Sequence, residues 1–472
     1  MTNNGVPTSD IRPPSSDIRP LTSALAIAGW LLFECSTQPF FSLVTTFVYA
    51  PYFASAVAPN PAEGQALWGF ATSAAGLVIA LLSPLLGAVS DATGPRKPWI
   101  VAFGVTLMLG SAALWFGKPG DTQMIVPVLA AFALGAVGAQ CATVFANAMM
   151  PSLVPPARLG RLSGTGWAAG YIGGLVSLLL TLAFLAANPQ TGRTLLGLAP
   201  AFGLDPALRE GDRVVGPLTA VWFLVFAVPL FLFTPDQPRK QPIRLALRRG
   251  LANLVETVSH LPRYRDVALF LAANMIYADG LVALFAFGGI YAAGTFGWGT
   301  IQIGIFGILL LVSGIFGAIG GGWLDDRLGS KSVIMGSLVI LIVAAIAILS
   351  IDRDRIGFVL AVAPPSPDGG LFAAAAERAF ISVALAIGLV SGPLQSASRT
   401  LLARLAPRDR LTQFYGLFAL SARVTSFIGP FVVAVVTAVT ASQKAGMAVL
   451  VAFFLIGIAL LSRVRVSPVL GL

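Results

Sequence analysis

The chain alternates long apolar stretches with short polar connections. Most of these stretches reach the ~20 residues that a helix needs to cross ~30 Å of hydrocarbon. A helix satisfies its own backbone hydrogen bonds there, as hydrocarbon requires. The pattern therefore predicts twelve membrane-spanning helices, at approximately 24–50, 66–89, 99–116, 125–149, 162–185, 214–233, 267–293, 300–324, 332–350, 379–402, 414–437 and 447–462.

Composition supports an all-α membrane protein. Hydrophobic residues make up 56% of the chain and charged residues only 11%, whereas a soluble globular protein carries about 25% charged residues. So little charge cannot cover a water-soluble fold of this size. The two cysteines, Cys35 and Cys141, lie inside apolar stretches, so we expect neither disulfides nor a metal site. Nothing in the sequence predicts a cofactor.

The net charge of +10 comes from basic residues whose distribution indicates the membrane topology of the chain and not a nucleic-acid partner. Lysines and arginines lie in the short connections, with no basic stripe carrying interleaved aromatic residues. With the N-terminus inside, 21 of them fall on the cytoplasmic side and 8 on the opposite side. Because cytoplasmic connections are enriched in Lys and Arg, both termini are predicted to be cytoplasmic, in the inner membrane.

Four regions are predicted along the chain. A polar N-terminal tail, 1–22, contains no apolar core of a cleaved signal peptide. A six-helix bundle follows at 23–233, then a basic linker at 234–266, then a second bundle with a short tail at 267–472. We expect the linker to lie along the cytoplasmic membrane surface, with binding of a regulatory partner as the alternative. The only histidine, His260, lies in this linker and not in a span.

One loop pattern occurs twice, between predicted helices 2 and 3 and between helices 8 and 9. Asp91 and Asp326 hold equivalent places in the two copies, 235 residues apart and close to half the chain. Such parallel repeats characterise the two halves of major facilitator transporters. The predicted gating residues are Gly87, Asp91, Gly94, Arg96 and Lys97 in the first copy, and Gly322, Asp326, Arg327, Gly329 and Lys331 in the second.

The loop residues suit a tight turn that changes its contacts during transport. Gly94 and Gly329 can adopt turn dihedrals that other residues avoid. An aspartate can accept hydrogen bonds from a helix N-terminus or an arginine, and such a contact can break when the halves rock. The first copy is imperfect, with Ala92 where a basic residue is usual and Pro95 inserted.

Three ionisable residues, Glu34, Asp279 and Arg423, fall near the middle of predicted spans. A charge at the bilayer centre costs at least about 2.5–3.5 kcal/mol on insertion scales, so each is expected to face a water-filled cavity or to pair. The functional hypothesis is a central site in which an acid binds a proton or a cationic group, while Arg423 binds a carboxylate. The alternative is a structural charge pair. Further polar candidates for the binding site are Gln38, Asn274 and Tyr277. Other polar residues within spans could line the same cavity, although an interhelical hydrogen bond is the favoured role for each alone: Gln140, Asn147, Gln302 and Gln395.

Small residues and prolines predict details of helix packing. Gly170 and Gly174, and Gly317 and Gly321, have the small-xxx-small spacing that lets helices approach closely. Pro39 lies inside the first predicted span, where its missing N–H disturbs the helix.

Longer stretches resemble a particular branch of the major facilitator superfamily, the vacuole-effluxer-like (autophagy-related) permeases and their bacterial relatives. The resemblance covers nearly all twelve helices and is carried by 33–40, 46–53, 147–156, 160–167, 277–280, 395–399 and 421–430. It implies two pseudo-symmetric six-helix bundles and a permease, with amino-acid export known for eukaryotic relatives. The chain departs from the common pattern with Glu34 in place of aspartate, Cys35 in place of tryptophan and Arg423 in place of lysine.

The leading hypothesis is a secondary active transporter of a small polar solute such as an amino acid, working by alternating access with protons as coupling ion. The expected partners are the solute, protons and the lipid bilayer, and the expected state is a monomer. An exporter of hydrophobic or cationic compounds is one alternative, and a non-transporting scaffold or sensor is another. An enzyme is not expected, because the sequence has no nucleotide-binding glycine loop, no metal-ligand cluster and no histidine placed to serve a nucleophile.

Overall fold

The computed structural model describes residues 24–93, 95–154, 159–236, 238, 263–364, 370–406, 417–418, 421 and 425–466. Long helices dominate this part of the chain. They are α1 Ala24–Pro39, α2 Pro61–Thr93, α3 Lys97–Ala113, α4 Ile125–Met149, α5 Leu159–Leu180, α6 Val215–Phe233, α7 Arg265–Phe296, α8 Thr300–Leu328, α9 Ser330–Leu349, α10 Ala375–Leu405, α11 Ile428–Thr440 and α12 Gln443–Ser462.

The prediction of an all-α membrane protein is confirmed. Among the described residues, 11 helical spans are long and apolar enough to cross a membrane. The remaining helix, α11, is apolar but only 13 residues long. The first half of its predicted span, 414–437, falls mostly outside the described residues. One element was not predicted: a small hairpin of β1 Arg355–Ile356 and β2 Leu360–Ala361 in the α9–α10 connection.

Helix pairing repeats along the chain. Among the first six helices, α1 packs on α5 and α6, α3 packs on α4 and α6, and α2 packs on α4. The same pairs recur six helices later, since α7 packs on α11 and α12, α9 on α10 and α12, and α8 on α10. The two groups meet where α2 contacts α11 and α7, and where α5 contacts α8. The chain is therefore an internal parallel repeat, as the loop pattern predicts.

The first span is irregular where it faces the second group of helices. The helix continues from Ala24 to Val57, but a π-helical stretch, Phe40–Phe47, begins directly after Pro39. Hydroxyl groups bond the backbone carbonyls there: Ser42 donates to Gln38 over 2.6 Å and Thr46 donates to Phe41 over 2.9 Å. π-Helical turns often mark functional sites, so this stretch is a candidate wall for a binding cavity.

Glycines hold α5 against α1 and α8 against α10. A methyl group at Gly174 would collide with the Ser42 hydroxyl, and one at Gly170 would press on the Gln38 side chain. Methyl groups at Gly317 and Gly321 would collide with Leu389 and Pro393 of α10. The predicted close packing at both glycine pairs is confirmed.

The helical bundle has two ends, an outer end and a motif end. The outer end carries the α1–α2 and α7–α8 connections, which the charge distribution predicts to face away from the cytoplasm. The motif end carries the two repeated loops.

Candidate functional site

A cavity of about 580 Å³ lies between the two groups of six helices. Small-molecule sites occupy roughly 300–1,000 Å³, so this cavity has the size of a small-solute site. Its walls come from α1, α2, α4 and α5 on one side and from α7, α8 and α10 on the other. The π-helical stretch of the first span supplies six residues of the wall, including Phe41, Thr45 and Thr46.

Amides and aromatic rings give this cavity its chemistry. Three glutamines from three different helices line it: Gln38, Gln140 and Gln395. Hydroxyl groups add further donors and acceptors, and no charged side chain lines the cavity within the part of the chain that the structure describes. The other polar and aromatic lining residues are Phe40, Phe41, Ser42, Thr45, Thr46, Phe47, Thr72, Phe132, Trp167, Tyr171, Phe285, Ser391 and Ser426.

Glu34 lies one helical turn from Gln38, toward the motif end, and so shares its face of α1. It is not part of the cavity wall. Its Oε1 atom is buried and has no hydrogen-bond partner among the described residues. Burying a carboxylate oxygen without a hydrogen-bond partner costs free energy. Binding of a proton or a cation to Glu34 would lower that cost.

Asp279 lies on α7, the first helix of the second group. Its side chain is buried and accepts a hydrogen bond of 3.2 Å from the Thr425 hydroxyl. It too lies outside the cavity wall, three residues from Val282, which does line the cavity. The two acids therefore flank the cavity on its motif side, one in each group of helices.

The other predicted binding residues have different surroundings. Tyr277 shares a 2.6 Å hydrogen bond with Ser398, which joins α7 to α10, and Asn274 is buried one turn earlier. Gln302 does not reach the cavity, because its side chain accepts a hydrogen bond from the Gly299 N–H at the start of α8. Asn147 lies exposed near the end of α4. Arg423 lies outside the described residues.

At the outer end, a buried ionic cluster joins the two groups of helices. Asp212, from the α5–α6 connection, pairs with Arg209 and accepts a hydrogen bond from the Thr300 hydroxyl at the start of α8. Arg209 also donates to Thr300 over 3.2 Å and lies 5.2 Å from the Tyr52 ring centroid. Burial lowers the pKa of Arg209, but the charge and hydrogen bond of Asp212 outweigh it and hold that pKa above its usual value. Arg209 is therefore charged at all physiological pH values.

A second set of polar contacts crosses the groups at the other edge of the outer end. The Gln65 amide of α2 donates to Thr437 of α11 over 2.9 Å. In return, the Gln443 amide of α12 donates to the Pro61 carbonyl of α2 over 2.9 Å. Together with the Asp212 cluster, these contacts join the two groups of helices at two places at the outer end.

At the motif end, equivalent lysines make equivalent contacts. Lys97, at the start of α3, donates to the Phe231 carbonyl near the end of α6 over 2.8 Å. Lys331, at the start of α9, donates to the Ser462 and Val464 carbonyls at the end of α12 over 3.1 and 2.7 Å. Each lysine therefore ties the third helix of its group to the last one.

Two acidic residues that were not predicted from the sequence, Asp236 and Asp325, form hydrogen bonds at the two repeated loops. The Asp236 carboxylate accepts the backbone N–H groups of Arg96 and Lys97 at the start of α3. In the second loop, Asp325 accepts a 2.6 Å hydrogen bond from Ser330 and lies 3.8 Å from the Arg404 guanidinium. Asp325 thus accepts from a hydroxyl at the start of α9 and faces an arginine of α10, while the contacts predicted for its neighbour Asp326 stay a prediction.

Two other predicted loop residues, Gly329 and Arg327, lie at the end of α8. Gly329 has a φ of +80°, which confirms its predicted turn conformation. The Arg327 guanidinium lies 3.7 Å from the Trp323 ring centroid. Gly94 lies outside the described residues. Gly87, Asp91, Gly322 and Asp326 lie in described helices whose side chains there are not described.

Comparison with known proteins shows the family. Residues 64–468 match the family model described as "Vacuole effluxer Atg22 like". This chain belongs to the vacuole effluxer Atg22-like family. A relative from Bacillus subtilis, the uncharacterized MFS-type transporter YxiO, is 23% identical over 441 residues, which cover 92% of this chain and 94% of the relative.

Fungal members of the Atg22-like family match a smaller part of the chain. Autophagy-related protein 22 of Cryptococcus neoformans is 27% identical over 318 residues, which cover 65% of this chain and 50% of that protein. The matched region thus spans about half the length of this fungal relative.

Solved structures confirm the fold. A bacterial homologue of the human lysosomal transporter Spinster has a TM-score of 0.64 and 16% identity, covering 95% of this chain and 99% of that one. A D-xylose–proton symporter has a TM-score of 0.62 and 15% identity, covering 93% and 96%. This Atg22-like protein is therefore a multi-pass membrane transporter with the major facilitator fold, and its family is not a class of enzymes.

Proposed function

We propose that this Atg22-like transporter moves a small polar solute by secondary active transport, with protons as the coupling ion and amino acids as the first substrate class to test. The observation that carries the proposal is the cavity of about 580 Å³ between the two groups of helices, with three glutamine amides in its wall. Amides can donate and accept at once, so they suit a solute that carries both kinds of polar group.

The coupling site in this proposal is the pair of acids beside the cavity. Glu34 and Asp279 lie one turn from cavity residues, on the first helix of each group. The Glu34 Oε1 atom, buried and without a described partner, is favoured as the proton acceptor. The Asp279 carboxylate accepts a hydrogen bond from the Thr425 hydroxyl, which offsets part of the cost of its burial. In our proposal Arg423 binds the carboxylate of the solute, or neutralises one of the acids in one of the two access states.

The gating contacts in this proposal are those that join the two groups of helices. Contacts at Asp212 and at Gln65 close the outer end and must break for the cavity to open there. At the motif end, we propose that the loops carrying Lys97 and Lys331 move as units with their helix groups. We place both termini in the cytoplasm and the chain in the inner membrane as a monomer.

A second candidate function is export of hydrophobic or cationic compounds. Aromatic rings in the cavity wall favour it, among them Phe41, Trp167 and Phe285. Rings bind apolar surface, and their faces attract cations. The three glutamines favour the polar solute, because an apolar ligand would displace water from these amides without replacing its hydrogen bonds, which costs free energy.

A binding screen separates the two candidates. Purified protein would be mixed with the twenty amino acids, a set of sugars and a set of lipophilic cations, and its thermal unfolding followed. Ligands that bind the native state raise the unfolding temperature. Each hit would then be tested by counterflow in proteoliposomes. Counterflow of an amino acid or another small polar solute supports the proposal, whereas counterflow of lipophilic cations alone would favour the second candidate.

A further inference from the structure

A small second void, the side pocket, adjoins the cavity on its outer side. Its volume is about 40 Å³, above the roughly 10–15 Å³ that a cavity needs to hold one water. It shares Thr46, Phe47, Phe285 and Leu310 with the cavity wall, so the two spaces meet at these residues.

The rest of this side pocket is apolar. Its wall is built mainly by α7, α8 and α10, and α9 and α12 add one residue each. A charged or hydrogen-bonding group entering it would lose its water and find few partners. Gly288, Gly289 and Ile387 are among the residues that line this side pocket and not the cavity.

Two neighbouring glycines of α7 have opposite surroundings in the side pocket. A methyl group at Gly289 would collide with the Thr46 carbonyl oxygen, so Gly289 is required where α7 meets the first span. A methyl group at Gly288 would meet no atom within 4 Å. Close packing explains Gly289 and leaves Gly288 unexplained, although glycine in the middle of a helix costs about 0.5–1 kcal/mol relative to alanine.

We propose that the side pocket holds the apolar end of the transported solute, and that Gly288 sets the size of the group it accepts. The substrate class is then a small amphipathic solute, with its polar groups at the cavity glutamines and a short uncharged chain of one or two carbons in the side pocket. This inference rests on the proposed function. It adds that solutes are selected by the length of their apolar end.

The size of the expected effect follows from burial of carbon. Each methylene moved from water into an apolar site strengthens binding about fourfold. Wild type should therefore favour solutes with longer apolar ends up to a limit, beyond which the wall excludes them. Gly288→Ala should lower that limit by one carbon. Ile387→Val removes a methyl group from the part of the wall that α10 supplies and should raise the limit by one carbon.

The test is a competition series in proteoliposomes. Glycine, alanine, 2-aminobutyrate, norvaline and norleucine would compete with a labelled substrate, in wild type, Gly288→Ala and Ile387→Val. Gly336→Ala is the matched control, because this glycine of α9 also has open space but lines neither void. Thermal unfolding of every variant would establish that each one folds.

Opposite shifts of the preferred chain length in Gly288→Ala and Ile387→Val, with the control unchanged, would support the inference. The same profile in wild type and both variants, with transport intact, would overturn it and leave the proposed function standing. Absence of transport of every member by wild type would overturn the amino-acid proposal and this inference together.

Discussion

The Thr300 hydroxyl donates a hydrogen bond to the buried carboxylate of Asp212, and this bond joins the two groups of helices at the outer end. Arg209 bonds both partners, so a charge pair and a hydroxyl form one cluster across the interface. A hydrogen bond to a charged group contributes about 1.5–3 kcal/mol. The cluster can therefore decide how often the outer end opens.

Removing this hydroxyl should open the outer end more often. In Thr300→Ala, the loss of about 1.5–3 kcal/mol corresponds to a shift of about tenfold or more toward the open state. The measurement is labelling of a cysteine introduced at Thr46 by an impermeant maleimide added from the outer side. The native cysteines, Cys35 and Cys141, are buried, so the background should be low. Thr300→Ser keeps the hydroxyl and should label like wild type; equal labelling of Thr300→Ala would contradict the role given to the cluster.

The lysines of the two loops should stabilise their helix groups to a similar extent. Lys97 and Lys331 each bond the carbonyls at the end of a last helix, where a cation contributes about 0.3–2 kcal/mol depending on burial. Lys97→Gln and Lys331→Gln should each lower the unfolding temperature by a few degrees. Lys118→Gln, at an exposed outer position, is the control. A loss confined to one of the two loop variants would argue against equivalent roles.

Asp325 should stabilise the second loop, because its carboxylate contacts both α9 and α10. Its carboxylate accepts from Ser330 and faces Arg404. Asp325→Asn should destabilise the protein by about 1–3 kcal/mol, and adding Arg404→Gln should cost less in this variant than in wild type. Unfolding temperatures of the two single variants and the double variant would show this. Fully additive losses would mean that the two residues act independently.

The glutamines of the cavity should contribute to solute affinity. Gln140→Ala and Gln395→Ala each remove an amide worth about 0.5–1.5 kcal/mol, so KM should rise about threefold to tenfold with little change in maximal rate. Gln302→Ala is the control, since Gln302 lies near the outer end and does not line the cavity. Unchanged KM in both cavity variants would place the solute elsewhere.

Periodicity and composition predicted most of the fold, because hydrocarbon dictates helix length and content. The spans at 24–50 and 66–89 were found but are longer in the structure, ending at Val57 and Thr93. The first extends because its helix continues through Pro51 with π-helical turns, and no apolar count detects that geometry.

The candidate site was predictable only in part. The sequence indicated Gln38, Gln140 and Gln395 as possible wall residues, because polar groups within spans are costly unless they line a cavity or bond another helix. It missed the roles of Asp212 and Asp325, since contacts between helices depend on which faces meet. A sequence signal for Asp212 existed, because the charged run 209–213 directly precedes an apolar span. Gly288 and Gly289 are indistinguishable in sequence and differ only in what α7 packs against.

Proton coupling through Glu34 is the central claim, and gradient-driven accumulation of solute tests it most directly. Wild type, Glu34→Gln and Glu63→Gln would be reconstituted and given a labelled solute with and without an imposed pH gradient; Glu63, exposed at the outer end, is the matched carboxylate control. We predict that the gradient drives accumulation in wild type and in Glu63→Gln but not in Glu34→Gln, which should still exchange solute. Gradient-driven accumulation at the wild-type level in Glu34→Gln would contradict the account.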